Sequence, residues 1–246
     1  MGKLNEDFSN TFYPFLGEES GHGEDNHDGN AGYEGHEDLM RELGESILSK
    51  AQASAEIKRR FFELNKATIL QASLAMARAF HRGRKLLVCG NGGSATDAEH
   101  IATEFMHPIT VGRRALPAVS LTNDSATMTG IANDVSFADV FTRQIIALGK
   151  TGDVLLGVST SGNSENLLRA FETAKRMELI TIGYAGGDGG KMRLKAEVDF
   201  CLTIPTDSVH RAQETQVTLY HVMWDLVHEM LARRSLLTNE EDQGRL

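Results

Sequence analysis

The chain has 246 residues, 41% of them hydrophobic, and a formal net charge of −9. That length and apolar content suit one sizeable core, and two cysteines, Cys89 and Cys201, cannot supply a disulfide framework for it. Ten acidic side chains against Lys3 alone place the whole charge excess in residues 1–40, so the remainder is balanced and carries no electrostatic footprint for nucleic acid. With no run of 18 apolar residues and no basic start leading into an apolar stretch, the expectation is a soluble, cytoplasmic protein with reduced thiols and no membrane contact.

In chain order, residues 17–38 are Gly, Glu, Asp, Asn and His with almost nothing apolar, too little to offset the entropy of ordering. Residues 1–40 therefore read as a disordered acidic extension, relieved by the aromatic cluster Phe12-Tyr13-Pro14-Phe15-Leu16. His22, His27 and His36 are spaced irregularly and read as solvated side chains. Residues 41–235 form the expected single domain, and 236–246 a C-terminal tail. Between Leu39 and His81, Leu43, Ile47, Phe61, Ile69, Met76 and Phe80 recur at helical spacing, as one long helix or two joined, ended by Arg82-Gly83-Arg84.

Lys85–Cys89 reads as a strand running into Gly90-Asn91-Gly92-Gly93-Ser94, with a helix over Asp97–Met106. This is neither the dinucleotide nor the phosphate-loop glycine pattern, because the spacing differs and no Lys follows. Further strands are expected at Ala118–Leu121, Asp153–Val158, Leu179–Tyr184 and Val198–Ile204. Helices are expected near Ser125–Ala132, Val140–Leu148, Leu167–Glu178 and Ser208–Ala232, with Asn133-Asp134 in a turn. The alternation predicts an α/β fold, a five-stranded parallel sheet flanked by helices with an N-terminal helical segment, and ligands at the carboxyl ends of the strands.

One such end is Ser159-Thr160-Ser161-Gly162-Asn163-Ser164. The first amides of a helix lack internal partners and carry the positive end of its dipole. Four hydroxyls and a glycine there suit a phosphate group, although one Ser alone would merely cap the helix. His100 and Glu104, four residues apart, share a helix face, and Gln213 and His221, just over two turns apart, could complete a second. Such nitrogen and oxygen donors suit a divalent transition metal, zinc above all; the competing reading of His100 and Glu104 is an exposed helix-stabilising pair. His107 and His228 read as core-edge or solvated residues.

Taken together, Gly90–Ser94 with Asp97-Ala98-Glu99-His100, Ala132-Asn133-Asp134, Gly152–Leu155 with Ser159–Ser164, and Asp188-Gly189-Gly190-Lys191-Met192 resemble the sugar isomerase (SIS) family over about residues 45–233. Within it they most resemble the bacterial phosphoheptose isomerase branch, which converts sedoheptulose 7-phosphate to D-glycero-D-manno-heptose 7-phosphate. The resemblance implies a flavodoxin-like three-layer sandwich and a homotetramer with sites at subunit interfaces. It implies that Ser94, Ser159, Thr160, Ser161 and Ser164 hold the sugar phosphate, while Asn91, Gly92, Asp134 and Gln213 face the substrate. It also implies one zinc ion per subunit on His100, Glu104, Gln213 and His221, with Glu104 and His221 as the acid/base pair. Two positions depart from the family pattern: His210, where members often carry a small or acidic residue, and Gln216, where many carry His. These departures leave another sugar phosphate as an alternative, beside a non-catalytic scaffold such as the replication-initiator-associating member, or a sugar-phosphate-sensing regulator.

Overall fold

Residues 31–195 and 197–237 are described in this computed structural model; the aromatic cluster at 12–16, His22, His27 and the tail from 238 lie outside them. The chain divides into two units, Met1–Leu48 and Ser49–Leu246. Helix α1 runs over Ala31–His81, so residues 31–40 of the expected extension are helical. Composition recognises a segment that cannot build a core but not where a helix begins. Here Asp38 pairs with Arg41 at 2.7 Å, one turn along the same helix face. In the second unit α1 buries Phe61, Ile69, Ala72, Met76 and Phe80, a stripe at helical spacing.

The other elements are β1 (Leu86–Gly90), α2 (Gly93–Met106), β2 (Ala118–Ser120), α3 (Ser125–Asp134), α4 (Val140–Leu148), β3 (Val154–Val158), α5 (Glu165–Arg176), β4 (Ile180–Gly186), α6 (Gly190–Leu194), β5 (Phe200–Ile204) and α7 (Val209–Ala232). Short α6 replaces part of the expected glycine turn, and α2 starts four residues before Asp97. All strand pairs are parallel, in the order β2-β1-β3-β4-β5. The five-stranded sheet flanked by helices is the architecture that the alternating pattern predicts.

Because side chains alternate across a strand, the central strands feed two cores. Leu86, Val88, Val154, Leu156, Val158, Ile182 and Tyr184 face one core with residues of α1, α2 and α7. Leu87, Cys89, Leu155 and Ala185 face the other, with Phe141 and Ile145 of α4 and Leu167 and Phe171 of α5. Both cysteines are free thiols, Cys89 buried and Cys201 partly so, and burial pushes both thiols up from their ordinary range.

At the amino ends of the central strands, buried Asp153 accepts from the Lys85 backbone N–H at 3.0 Å, from the Lys150 N–H at 2.8 Å and from the Lys85 ammonium. Three donors on one carboxylate tie the start of β1 to the start of β3. The loops that follow Gly90 and Val158 lie at the opposite ends of the same two strands.

Candidate active site

Strands β1 and β3 are adjacent at the point where the chain order reverses, β1 leading outward to β2 and β3 onward to β4. That is the crevice in which open parallel sheets bind ligands. The register pairs Gly90 with Val158, so the loops beginning at Asn91 and Ser159 leave the sheet side by side. Asn91 and Asn166 bridge them with two reciprocal amide bonds, each 2.9 Å. Asn166 carried no signal in the sequence, since the pairing spans 75 residues.

In the first loop Gly92 takes φ 56° as the N-cap of α2, and Ser94 is buried in the first turn. A Cβ on Gly93 would overlap the Gln213 amide, so the glycine lets α7 lay that side chain against the start of α2. In the second loop buried Ser159 accepts through Oγ from the Gly162 N–H at 3.0 Å and the Ser161 N–H at 3.3 Å. Its own proton is left to donate. Ser164 is the N-cap of α5 yet makes no side-chain capping bond, which removes the purely capping account of that hydroxyl. Thr160 and Ser161 line an open cavity of about 480 Å³ with Asp188, Thr206 and Asp207.

Helices α2 and α7 bring His100, Glu104 and His221 together, with one ligand atom of each lying within 4.8 Å of the other two. His100 Nε2 lies 3.2 Å from Glu104 Oε1, and the His100 and His221 ring centroids are 5.2 Å apart. His100 and Glu104 do interact along one helix, as a stabilising pair would, but a third donor from another helix converges on them. The indole N–H of Trp224 donates to the Glu104 carbonyl at 2.9 Å, holding the backbone beneath the carboxylate. Two imidazoles and a carboxylate, with the Gln213 amide on the same helix as His221, fit the donor chemistry of a borderline divalent ion such as zinc.

The sequence did not single out Tyr220, and it named Asp97 and Gln216 without saying what they meet. Buried Tyr220 places its hydroxyl 2.7 Å from His100 Nδ1. Burial, with the charges of Asp97 and Glu104, pushes its phenol well up, so it remains an O–H at neutral pH. Asp97 is buried with Oδ2 unpartnered among the described residues, and burial holds its carboxyl above the usual range against the opposing pull of His100. Gln216, buried on α7 between Gln213 and His221, donates to the Ser159 carbonyl at 2.7 Å and thereby ties the helix of the cluster to the hydroxyl loop. These residues are buried polar side chains on apolar helix faces, a pattern that marks a position without saying what it meets.

Asp134 ends α3 on the surface, accepting from the Asn133 amide at 2.8 Å. His210 is exposed in the first turn of α7, and His107 caps α2. His228 is buried, its Nδ1 2.9 Å from the Trp224 carbonyl, a core-edge placement away from the triad.

A parallel sheet of this order, with a hydroxyl loop and a glycine loop side by side at its reversal point, defines an open α/β fold with an anion-binding crevice. The SIS domain family model matches residues 51–186, more than half of the chain, and the chain belongs to that family. Among its curated relatives, the phosphoheptose isomerase of Thermodesulfovibrio yellowstonii is 39% identical over 190 residues, covering 77% of this chain and 94% of the relative. That of Clostridium acetobutylicum is 46% identical over 154 residues, 63% of this chain and 78% of the relative. The solved phosphoheptose isomerase GmhA of Neisseria gonorrhoeae superposes with a TM-score of 0.71 at 36% identity, covering 76% of this chain and 99% of that one. The Francisella tularensis phosphoheptose isomerase gives 0.71 at 34%, covering 75% and 97%.

Proposed function

We infer that the protein is a sugar-phosphate aldose–ketose isomerase that converts sedoheptulose 7-phosphate to D-glycero-D-manno-heptose 7-phosphate. The observation that carries this reading is the convergence of His100, Glu104 and His221 on a fold whose relatives at about 40% identity are phosphoheptose isomerases. The phosphate goes to Ser94, Ser159, Thr160, Ser161 and Ser164, where hydroxyl donors meet the N-terminus of α5. Asn91, Gly92, Asp134 and Gln213 face the sugar, and Gln216 keeps the phosphate loop in register with the helix of the acid/base residues.

The reaction moves a proton from C1 to C2 and another from O1 to O2 through a cis-enediol, with no net gain or loss. A carboxylate and an imidazole suit those two transfers, since each can be tuned to give and take a proton near neutral pH. Glu104 takes the C1 proton and returns it to C2. One of its oxygens faces His100, and the other is left for that shuttle. His221 moves the proton between the oxygens. His100, Glu104, Gln213 and His221 would hold one zinc ion, which when bound supplies electrostatic polarisation of the sugar oxygens.

A homotetramer with interfacial sites is part of the same reading. In its support, exposed Leu70 and Val222 border an apolar cavity of about 320 Å³ with Phe62, Ile69 and Leu226. A cytoplasmic location accords with the finding that no described helix is long and apolar enough to cross a membrane. The test is incubation with sedoheptulose 7-phosphate, with and without chelator. The heptose product is expected in the untreated protein, and its absence under both conditions would overturn the assignment.

A further inference from the structure

We propose that Tyr220 is a positioning residue for the metal cluster: its hydroxyl, 2.7 Å from His100 Nδ1, fixes the ring orientation and accepts the Nδ1–H of the tautomer that leaves Nε2 as the ligand nitrogen. The proposal rests on the metal reading above. His100 is engaged at both ring nitrogens, Nδ1 by Tyr220 and Nε2 by Glu104 Oε1 at 3.2 Å. An imidazole that gives its Nε2 lone pair to an ion carries its proton on Nδ1, and that N–H needs an acceptor to hold the ring. The phenol oxygen is that acceptor.

A hydroxyl suits the place better than a carboxylate because it both donates and accepts. With no ion, Tyr220 donates to Nδ1 while an Nε2–H faces Glu104. With an ion, the Nδ1–H donates to the phenol oxygen. His100 is thus satisfied in either state.

The tyrosine is itself held. It is 3% exposed, lies one residue before His221, and its ring centroid is 5.3 Å from that of His100 at 74° and 4.6 Å from that of His221. One rigid side chain therefore abuts both imidazoles of the cluster. Phenylalanine would preserve that packing and remove only the hydroxyl.

The experiment measures zinc affinity by competition with a chromogenic chelator, on full-length stripped protein. Four forms are compared: the unaltered chain, Tyr220→Phe, His100→Ala and the double variant. Loss of an outer-shell partner of a ligating histidine typically weakens metal binding about 10–100-fold, and that is the loss expected for Tyr220→Phe. In the His100→Ala background the same change should have no further effect, because Tyr220 acts through His100. Unchanged affinity in Tyr220→Phe, or an equal loss in both backgrounds, overturns the proposal. If the unaltered protein binds no zinc, the metal reading falls and this falls with it, a result distinct from either. Independently of any variant, ¹⁵N–¹H correlations of the zinc-loaded unaltered protein should place the His100 proton on Nδ1. A proton on Nε2 would sink the assignment.

Discussion

The two loops that leave the sheet side by side solve different problems. The glycine loop at Gly90–Ser94 is built for approach: Gly93 lets the Gln213 amide close on the backbone, and the helix that follows carries His100, Glu104 and the buried Asp97. The hydroxyl loop at Ser159–Ser164 has no titratable side chain, and its Ser159 and Ser161 hydroxyls hold the Ser161, Gly162 and Asn163 amides. In the proposed function, one junction leads to groups that move protons, and the other to neutral donors that hold a charge still. On that reading the division teaches that binding and chemistry can be separated on one sheet edge and joined again by side chains such as Gln216 and the Asn91–Asn166 pair.

The largest test of that division is Glu104→Gln. General acid–base catalysis is worth about 10²–10⁴-fold, so isomerisation should fall by at least about 10²-fold while the affinity for the sugar phosphate, read by calorimetry, stays within a few fold. Turnover retained at the unaltered rate would dissolve the distinction between the junctions.

Gly162→Ala attacks the other side. The residue has φ +66°, and a Cβ there would overlap the Gly189 carbonyl oxygen. The strain should cost more than about 1 kcal/mol, which for a chain this size lowers Tm by roughly 2–4 °C per kcal/mol. KM should rise about tenfold or more as the loop is displaced, with kcat less affected. An unchanged KM would show that the loop does not bind the phosphate.

The smallest effect is expected of Asp97→Asn in metal-free protein. Burial raises the folded carboxyl above its ordinary value of 3.8, so between that value and the folded one the native state binds more protons than the unfolded chain. Stability then falls as pH rises through that window and stays lower above it. The variant escapes this loss. Its Tm should exceed that of the unaltered protein at pH 7, and the gap should close as pH drops below about 3.8. A gap independent of pH would remove the cost assigned to charge at the first junction.

Much of this was legible from the chain alone. Strand–loop–helix alternation, the run of hydroxyls after Val158 and the four-residue spacing of His100 and Glu104 are local patterns, and local patterns survive in a sequence. Lost were the pairings across distance. Tyr220 meets His100 across 120 positions, Gln216 meets Ser159 across 57 and Asn91 meets Asn166 across 75. Each involves a polar side chain at a position that helical periodicity assigns simply to the inside. The start of α1 was hidden for another reason, because acids that rule out a core do not rule out a helix, and a pair one turn apart such as Asp38 with Arg41 supports one.

Asp153 gains a second meaning from its distance to all this chemistry. A strand that slips by one residue turns every side chain to the opposite face and travels about 3.3 Å along its neighbour. Such a slip between β1 and β3 would exchange the two cores and carry Asn91 away from Asn166. By gripping Lys85 and Lys150 behind the sheet, one buried carboxylate acts as the datum from which the spacing of both loops is measured.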